Sequence, residues 1–167
     1  MKKPLTHLLI LCLSLALMLF SSACGSKTPA GPAAFPPAET CQTLLDSGAF
    51  SEELELLDNE IAYMLFGFDL WSDSASLIED SVVYYSTGAT SEICAVLVIG
   101  EEYYGGDMAA AKGDLEEWVS AQIEAETDYR PAEAAKLEKA ILEQRDNTFL
   151  LVVAADAGKA QAAIPAT

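Results

Sequence analysis

Residues 93–99 read Ile-Cys-Ala-Val-Leu-Val-Ile, and this uninterrupted apolar run limits the fold more than any other stretch of the chain. Its length and β-branched content suit a strand, whose successive side chains leave from opposite faces. A strand that is apolar on both faces must be central and covered. Just before it, Val82-Val83-Tyr84-Tyr85-Ser86-Thr87 has strand composition, and Gly88-Ala89-Thr90-Ser91 turns the chain between the two. A second hairpin is expected where residues 140–145 and 148–154 flank Asp146-Asn147, a two-residue connection. Residues 93–99 and 149–153 are expected at the sheet centre. The strand bearing Glu143 and Arg145 reads as a charged edge.

Helical periodicity fills the remaining segments. Cys41, Leu44 and Leu45 recur at helical spacing before a stop at Gly48. Asp58 suits the cap of a short helix carrying Ile61, Met64 and Leu65 on one face and ending at Gly67, whereas residues 52–57 fit neither period. Asp107 opens the clearest helix, in which Met108, Ala111, Leu115, Trp118, Val119, Gln122 and Ile123 trace one stripe with acids opposite. Pro131 suits the first turn of another helix, running to about Lys139, and an alanine-rich helix closes the domain. Two hairpins among helices give the α+β class: a small antiparallel sheet of about four strands with packed helices.

The N-terminus reads as an address. Lys2 and Lys3 precede the 13 uncharged residues 8–20, and then Ser21-Ser22-Ala23-Cys24-Gly25. At about 1.5 Å per helical residue the apolar run covers roughly 20 Å, short of a hydrocarbon core of about 30 Å. The junction resembles the bacterial lipoprotein signal, in which small residues precede a cysteine that is diacylated and becomes the new N-terminus. Ala23-Cys24-Gly25 fits that pattern; Ser21 stands where an aliphatic is usual, and a plain signal peptide that leaves a cysteine is the alternative. Two acyl chains hold a protein stably where one binds only marginally. The expectation is removal of residues 1–23, lipid on Cys24, and a tether on the outer face of the cytoplasmic membrane. Residues 24–38, with Pro29, Pro32, Pro36 and Pro37, read as a linker reaching roughly 45 Å in extended polyproline geometry, and residues 39–163 as one globular domain.

Composition then removes whole classes of chemistry. The leader carries two lysines and no acid, so seven cations against 26 acids leave a mature net charge near −19. Nucleic acid and anionic headgroups repel such a surface, so no nucleic-acid partner is expected. The single histidine, His7, lies in the leader. Catalytic arrangements built on histidine, and zinc sites that include it, are therefore excluded from the mature chain. Acid–base work falls to carboxylates, lysine or tyrosine. Cys12 leaves with the leader and Cys24 takes lipid, which leaves Cys41 and Cys94. They are either a disulfide closing about 54 residues, worth roughly 4 kcal/mol in chain entropy, or two buried thiols, the simpler reading. Neither a metal site nor a cofactor is expected.

Candidate sites are few. The turn of residues 86–92 gathers hydroxyls, a glycine and a carboxylate, and Thr87, Thr90 and Glu92 are its candidates for a small polar ligand, although turns have this composition anyway. Residues 69–80 fail as a calcium loop, since Trp71 takes a ligand position and Ser74 that of the turn glycine. Glu52 with Glu53, and Glu116 with Glu117, are adjacent and diverge in direction on a helix, whereas a catalytic pair faces across a cleft. Tyr84, Tyr85, Tyr103, Tyr104 and Trp71 are aromatic anchors for an interface, with Trp71 and Tyr103 the first place to look for a partner; strand alternation sends Tyr84 and Tyr85 to opposite faces.

With Gly67-Phe68-Asp69, the hairpin Tyr85-Ser86-Thr87-Gly88-Ala89-Thr90-Ser91-Glu92, the break Asp128-Tyr129-Arg130-Pro131 and Asn147-Thr148-Phe149 in order, the chain resembles an uncharacterised lipoprotein family of Gram-positive anaerobes defined by a domain of unknown function. The resemblance covers about residues 40–156 and departs at Gly105-Gly106, which delay the long helix. It implies an extracytoplasmic lipoprotein and supplies no substrate, cofactor or catalytic residue. The functional expectation is a noncatalytic binding or accessory module, with an envelope protein or small polar ligand as partner. The alternative is a small cell-envelope enzyme using carboxylates or tyrosine.

Overall fold

A computed structural model describes residues 33–67, 80–100 and 105–166. In chain order these form α1 (Pro37–Leu45), β1 (Glu55–Leu56), α2 (Asn59–Phe66), β2 (Val82–Tyr85), β3 (Ile93–Val98), α3 (Met108–Thr127), α4 (Pro131–Leu137), β4 (Ile141–Arg145), β5 (Thr148–Val153) and α5 (Ala157–Ala163). The five strands make one antiparallel sheet in the order β1-β2-β3-β5-β4, so the fold is α+β. The fifth strand is β1, two residues that pair Glu55 with Tyr85 and Leu56 with Tyr84. A strand that short carries no period to read.

The apolar run at β3 takes the central position, pairing Ile93 with Val153 on one side and Tyr85 with Ile93 on the other. Both of its faces are covered. Ile93, Ala95 and Leu97, with Phe149, Leu151 and Val153 of β5, pack with Phe66 of α2, Ala111 and Leu115 of α3 and Leu137 of α4. Cys94 and Val96, with Leu150 and Val152, pack on the opposite face with Phe35, Cys41 and Leu44 of the α1 region and Ala160 of α5. Helices thus lie on both faces of the sheet, which is why neither central strand alternates apolar with polar. Tyr84 packs into the second layer and Tyr85 into the first, as alternation requires.

The long helix starts where its cap is. Asp107 accepts hydrogen bonds from the backbone N–H groups of Ala109 and Ala110, at 3.1 and 3.2 Å, and Gly105 and Gly106 before it take left-handed φ values of 59° and 83°. Ala111 and Leu115 are buried, with Met108, Trp118, Val119 and Ile123 packed against them, so the stripe faces inward as its period indicates. Asp146, at φ 52°, turns the β4–β5 hairpin.

Three expectations change. The short helix does begin after Asp58, whose Oδ1 accepts from the Glu60 N–H at 2.9 Å, but Ile61 and Met64 are exposed while Ala62 and Phe66 are buried. Apolar residues occupy most of this helix's circumference, and tertiary contact picks the face: the Trp118 indole N–H donates to the Leu65 carbonyl at 2.7 Å, and its ring lies 5.0 Å from that of Phe66. Edge strand β4 does carry Glu143 and Arg145, yet Arg145 is buried, ion-paired to Glu143 at 2.8 Å with its guanidinium 4.0 Å over the Phe35 ring. Phe35 itself is buried and its N–H donates to Thr148 Oγ1 at 2.9 Å, so the folded body begins by Phe35 and the last residues of the expected linker belong to it. Phe68 and Asp69 of the resemblance, residues 69–79 of the rejected calcium loop, and Trp71, Tyr103 and Tyr104 lie outside the described residues.

Candidate functional site

One end of the sheet brings together the buried carboxylates Glu92 and Glu133 and the ammonium of Lys136. The β2–β3 turn closes with the Ser86 N–H donating to the Glu92 carbonyl at 3.0 Å. Glu92 has no exposed surface, and its carboxylate is held from two directions. The Ser51 N–H donates to Oε2 at 2.8 Å and the Ser51 hydroxyl to Oε1, while the Lys136 ammonium of α4 lies 2.8 Å from Oε1. Lys136 also pairs with Glu133 at 3.2 Å, and Glu133 Oε2 accepts from the Ser91 N–H at 2.7 Å. Burial pulls the Lys136 ammonium down, but its hydrogen bonds to Glu92 and Glu133 outweigh this and hold it above its ordinary value. Arg130, at the junction of α3 and α4, grips the same turn through the Ala89 carbonyl at 2.7 Å and pairs with Glu126.

Glu52 is the hinge between this network and the surface. Its Oε1 accepts from the hydroxyls of Ser86 and Thr90, which hold the Glu52 carboxyl below the usual carboxylate range. The turn comes close enough that a Cβ at Gly88 would stand 2.5 Å from Glu52 Oε2. Glu52 also lines a cleft of about 340 Å³ with Gln42, Leu45, Phe50, Glu53, Leu54 and Tyr84. Phe50 and Tyr84 are half-buried, giving the cleft two aromatic walls and two carboxylates. Residues 51–54 are not helical, so the adjacent pair Glu52 and Glu53 shares one cleft after all.

The three turn residues singled out from sequence separate in role. Glu92 points inward to Ser51 and Lys136, Thr90 donates to Glu52, and Thr87 is exposed, with only a long 3.4 Å contact to Glu55. Thr90 and Glu92 therefore belong to one network and Thr87 stands at its margin. Ser51, Glu133 and Lys136 were not among the candidates, and Glu52 was weighed only with Glu53 as a catalytic pair and set aside. The available signal was the spacing of Glu133 and Lys136, one turn apart on the α4 face that also buries Ala134 and Leu137, where solvated charge would not be placed.

Among the described residues no group of three or more His, Cys, Asp or Glu is placed to hold a metal ion, and no helix is long and apolar enough to cross a membrane. No protein-family model, curated protein or solved structure matches the chain.

Proposed function

We propose that this chain is an extracytoplasmic lipoprotein, anchored through Cys24 to the outer face of the cytoplasmic membrane, that acts as a noncatalytic binding module. The leader, the Ala23-Cys24-Gly25 junction and the resemblance to the lipoprotein family support the anchor. The binding face is the cleft between α1 and the start of β1, and its occupant is a small polar ligand carrying positive charge. The observation that carries this reading is Glu52: a carboxylate held ionised by two hydroxyls, in a cleft walled by Phe50 and Tyr84. A general acid needs the opposite displacement, a carboxyl raised toward neutral pH. A fixed negative charge beside aromatic faces instead suits an ammonium or guanidinium group, which gains from both.

The test is an NMR titration of the mature protein with simple amine and quaternary ammonium compounds. Backbone shifts are expected to cluster at Gln42, Phe50 and Tyr84 and to vanish in Glu52→Gln. Shifts spread evenly over the acidic surface, or unchanged in that variant, overturn the reading.

A further inference from the structure

Cys41 and Cys94 face each other across the contact between α1 and β3. The Cys41 sulfur lies 3.9 Å from the Cys94 carbonyl oxygen, and the Cys94 sulfur 4.0 Å from the Cys41 carbonyl oxygen. Both side chains have no exposed surface, and both are free thiols in the same packed layer with Leu44, Val96 and Val152. We propose that this pair closes into a disulfide that staples α1 to the central strand, formed while the chain folds outside the cytoplasm.

Each sulfur lies within about 4 Å of the other residue's backbone carbonyl, so the two backbones come close together, as a bridge needs, since its ends are short and fixed in reach. The chemistry is exchange with a disulfide oxidant, either a small-molecule disulfide or an extracytoplasmic dithiol–disulfide protein. One cysteine thiolate attacks the oxidant's disulfide, forming a mixed disulfide and expelling one oxidant thiolate. The second cysteine thiolate then attacks the first cysteine's sulfur and expels the other oxidant thiolate. Two electrons and two protons pass to the oxidant, and one S–S bond is gained where one was lost. The hydrogen-bonded Cys41 thiol beside it, together with burial, pushes the Cys94 thiol well above its ordinary range. Only the thiolate attacks, so the folded dithiol form exchanges slowly and closure belongs to folding, before α1 seats.

The presence of an oxidant rests on the proposed location, whereas the pairing rests on the geometry alone, and the experiment tests the pairing. The detergent-solubilised protein is denatured, reduced, and refolded in a glutathione redox buffer; it is then denatured again with an alkylating reagent and mapped by peptide mass. The expected result is a Cys41–Cys94 linked peptide, two hydrogens lighter than its parts, and a melting midpoint above that of the same protein refolded under reductant. Cys41 and Cys94 both alkylated, either of them joined to Cys24, or equal melting midpoints overturn the proposal. A bridge to Cys24 can form only where its sulfur carries no lipid; the other outcomes are the same whether or not Cys24 is acylated.

Discussion

Glu92 is a carboxylate with no access to water, and everything around it follows from that cost. Taking an ion out of water is expensive enough that its partner is held in place as firmly as the ion itself. Lys136→Met removes the cation that compensates the buried Glu92 carboxyl, and urea unfolding is expected to register a loss of about 3–5 kcal/mol. The buried Thr40 hydroxyl presents the reverse case: it has no hydrogen-bond partner among the described residues, so Thr40→Val is expected to raise stability by about 1 kcal/mol. At Gly88 the added methyl of Gly88→Ala displaces the Glu52 carboxylate, the far end of a flexible side chain, away from Ser86 and Thr90. The expected readout is an upward shift of the Glu52 pKa by carboxyl NMR, with the fold retained. Sequence pointed to Thr90 and Glu92 because turns concentrate such groups. It did not reveal that their donors and acceptors are spent on residues 38 to 44 positions away, since nothing local encodes a partner at that separation.

Elements with a repeating period were legible, and those without one were not. The stripe of α3, its Asp107 cap and the apolar run of β3 each carry several residues of consistent signal. Asp107→Ala is accordingly expected to cost about 1 kcal/mol in urea unfolding, by freeing the N–H groups of Ala109 and Ala110. Strand β1 escapes because two residues have no alternation and its formation depends on Tyr84 and Tyr85 lying alongside. The face of α2 escapes because Trp118, fifty-three positions away from Leu65, chooses it. Arg145 was legible as an edge charge but not as a lid on Phe35, because a proline-rich approach gives no sign that one of its side chains is buried.

At the scale of the molecule, stability should be insensitive to pH where most proteins with histidines are not. Glu52 and Glu126 have lowered folded-state values, so their contributions are complete above the unfolded value near about 4.3 and are lost as pH falls through the folded ones. Cys94 and Lys136 are raised, so theirs are complete below unfolded values of about 8.5 and about 10.4 and are lost as pH rises above them. With no histidine beyond His7, the urea midpoint is expected to stay flat from about pH 5 to about pH 8, declining on both sides. Closing the Cys41–Cys94 bridge removes the Cys94 part of the alkaline decline. The folded body starts by Phe35, whose N–H donates to Thr148 Oγ1, so the end of the proline-rich stretch contributes to the pH-independent core of the molecule.

The account of location stands on Cys24, and mass spectrometry of the N-terminal peptide from protein purified out of its native membrane tests it most directly. The expected species begins at Cys24 with two acyl chains attached through a glyceryl thioether, and Cys24→Ala abolishes it. A peptide with a free thiol at Cys24, or one that retains Lys2 and Lys3 of an intact leader, contradicts the account.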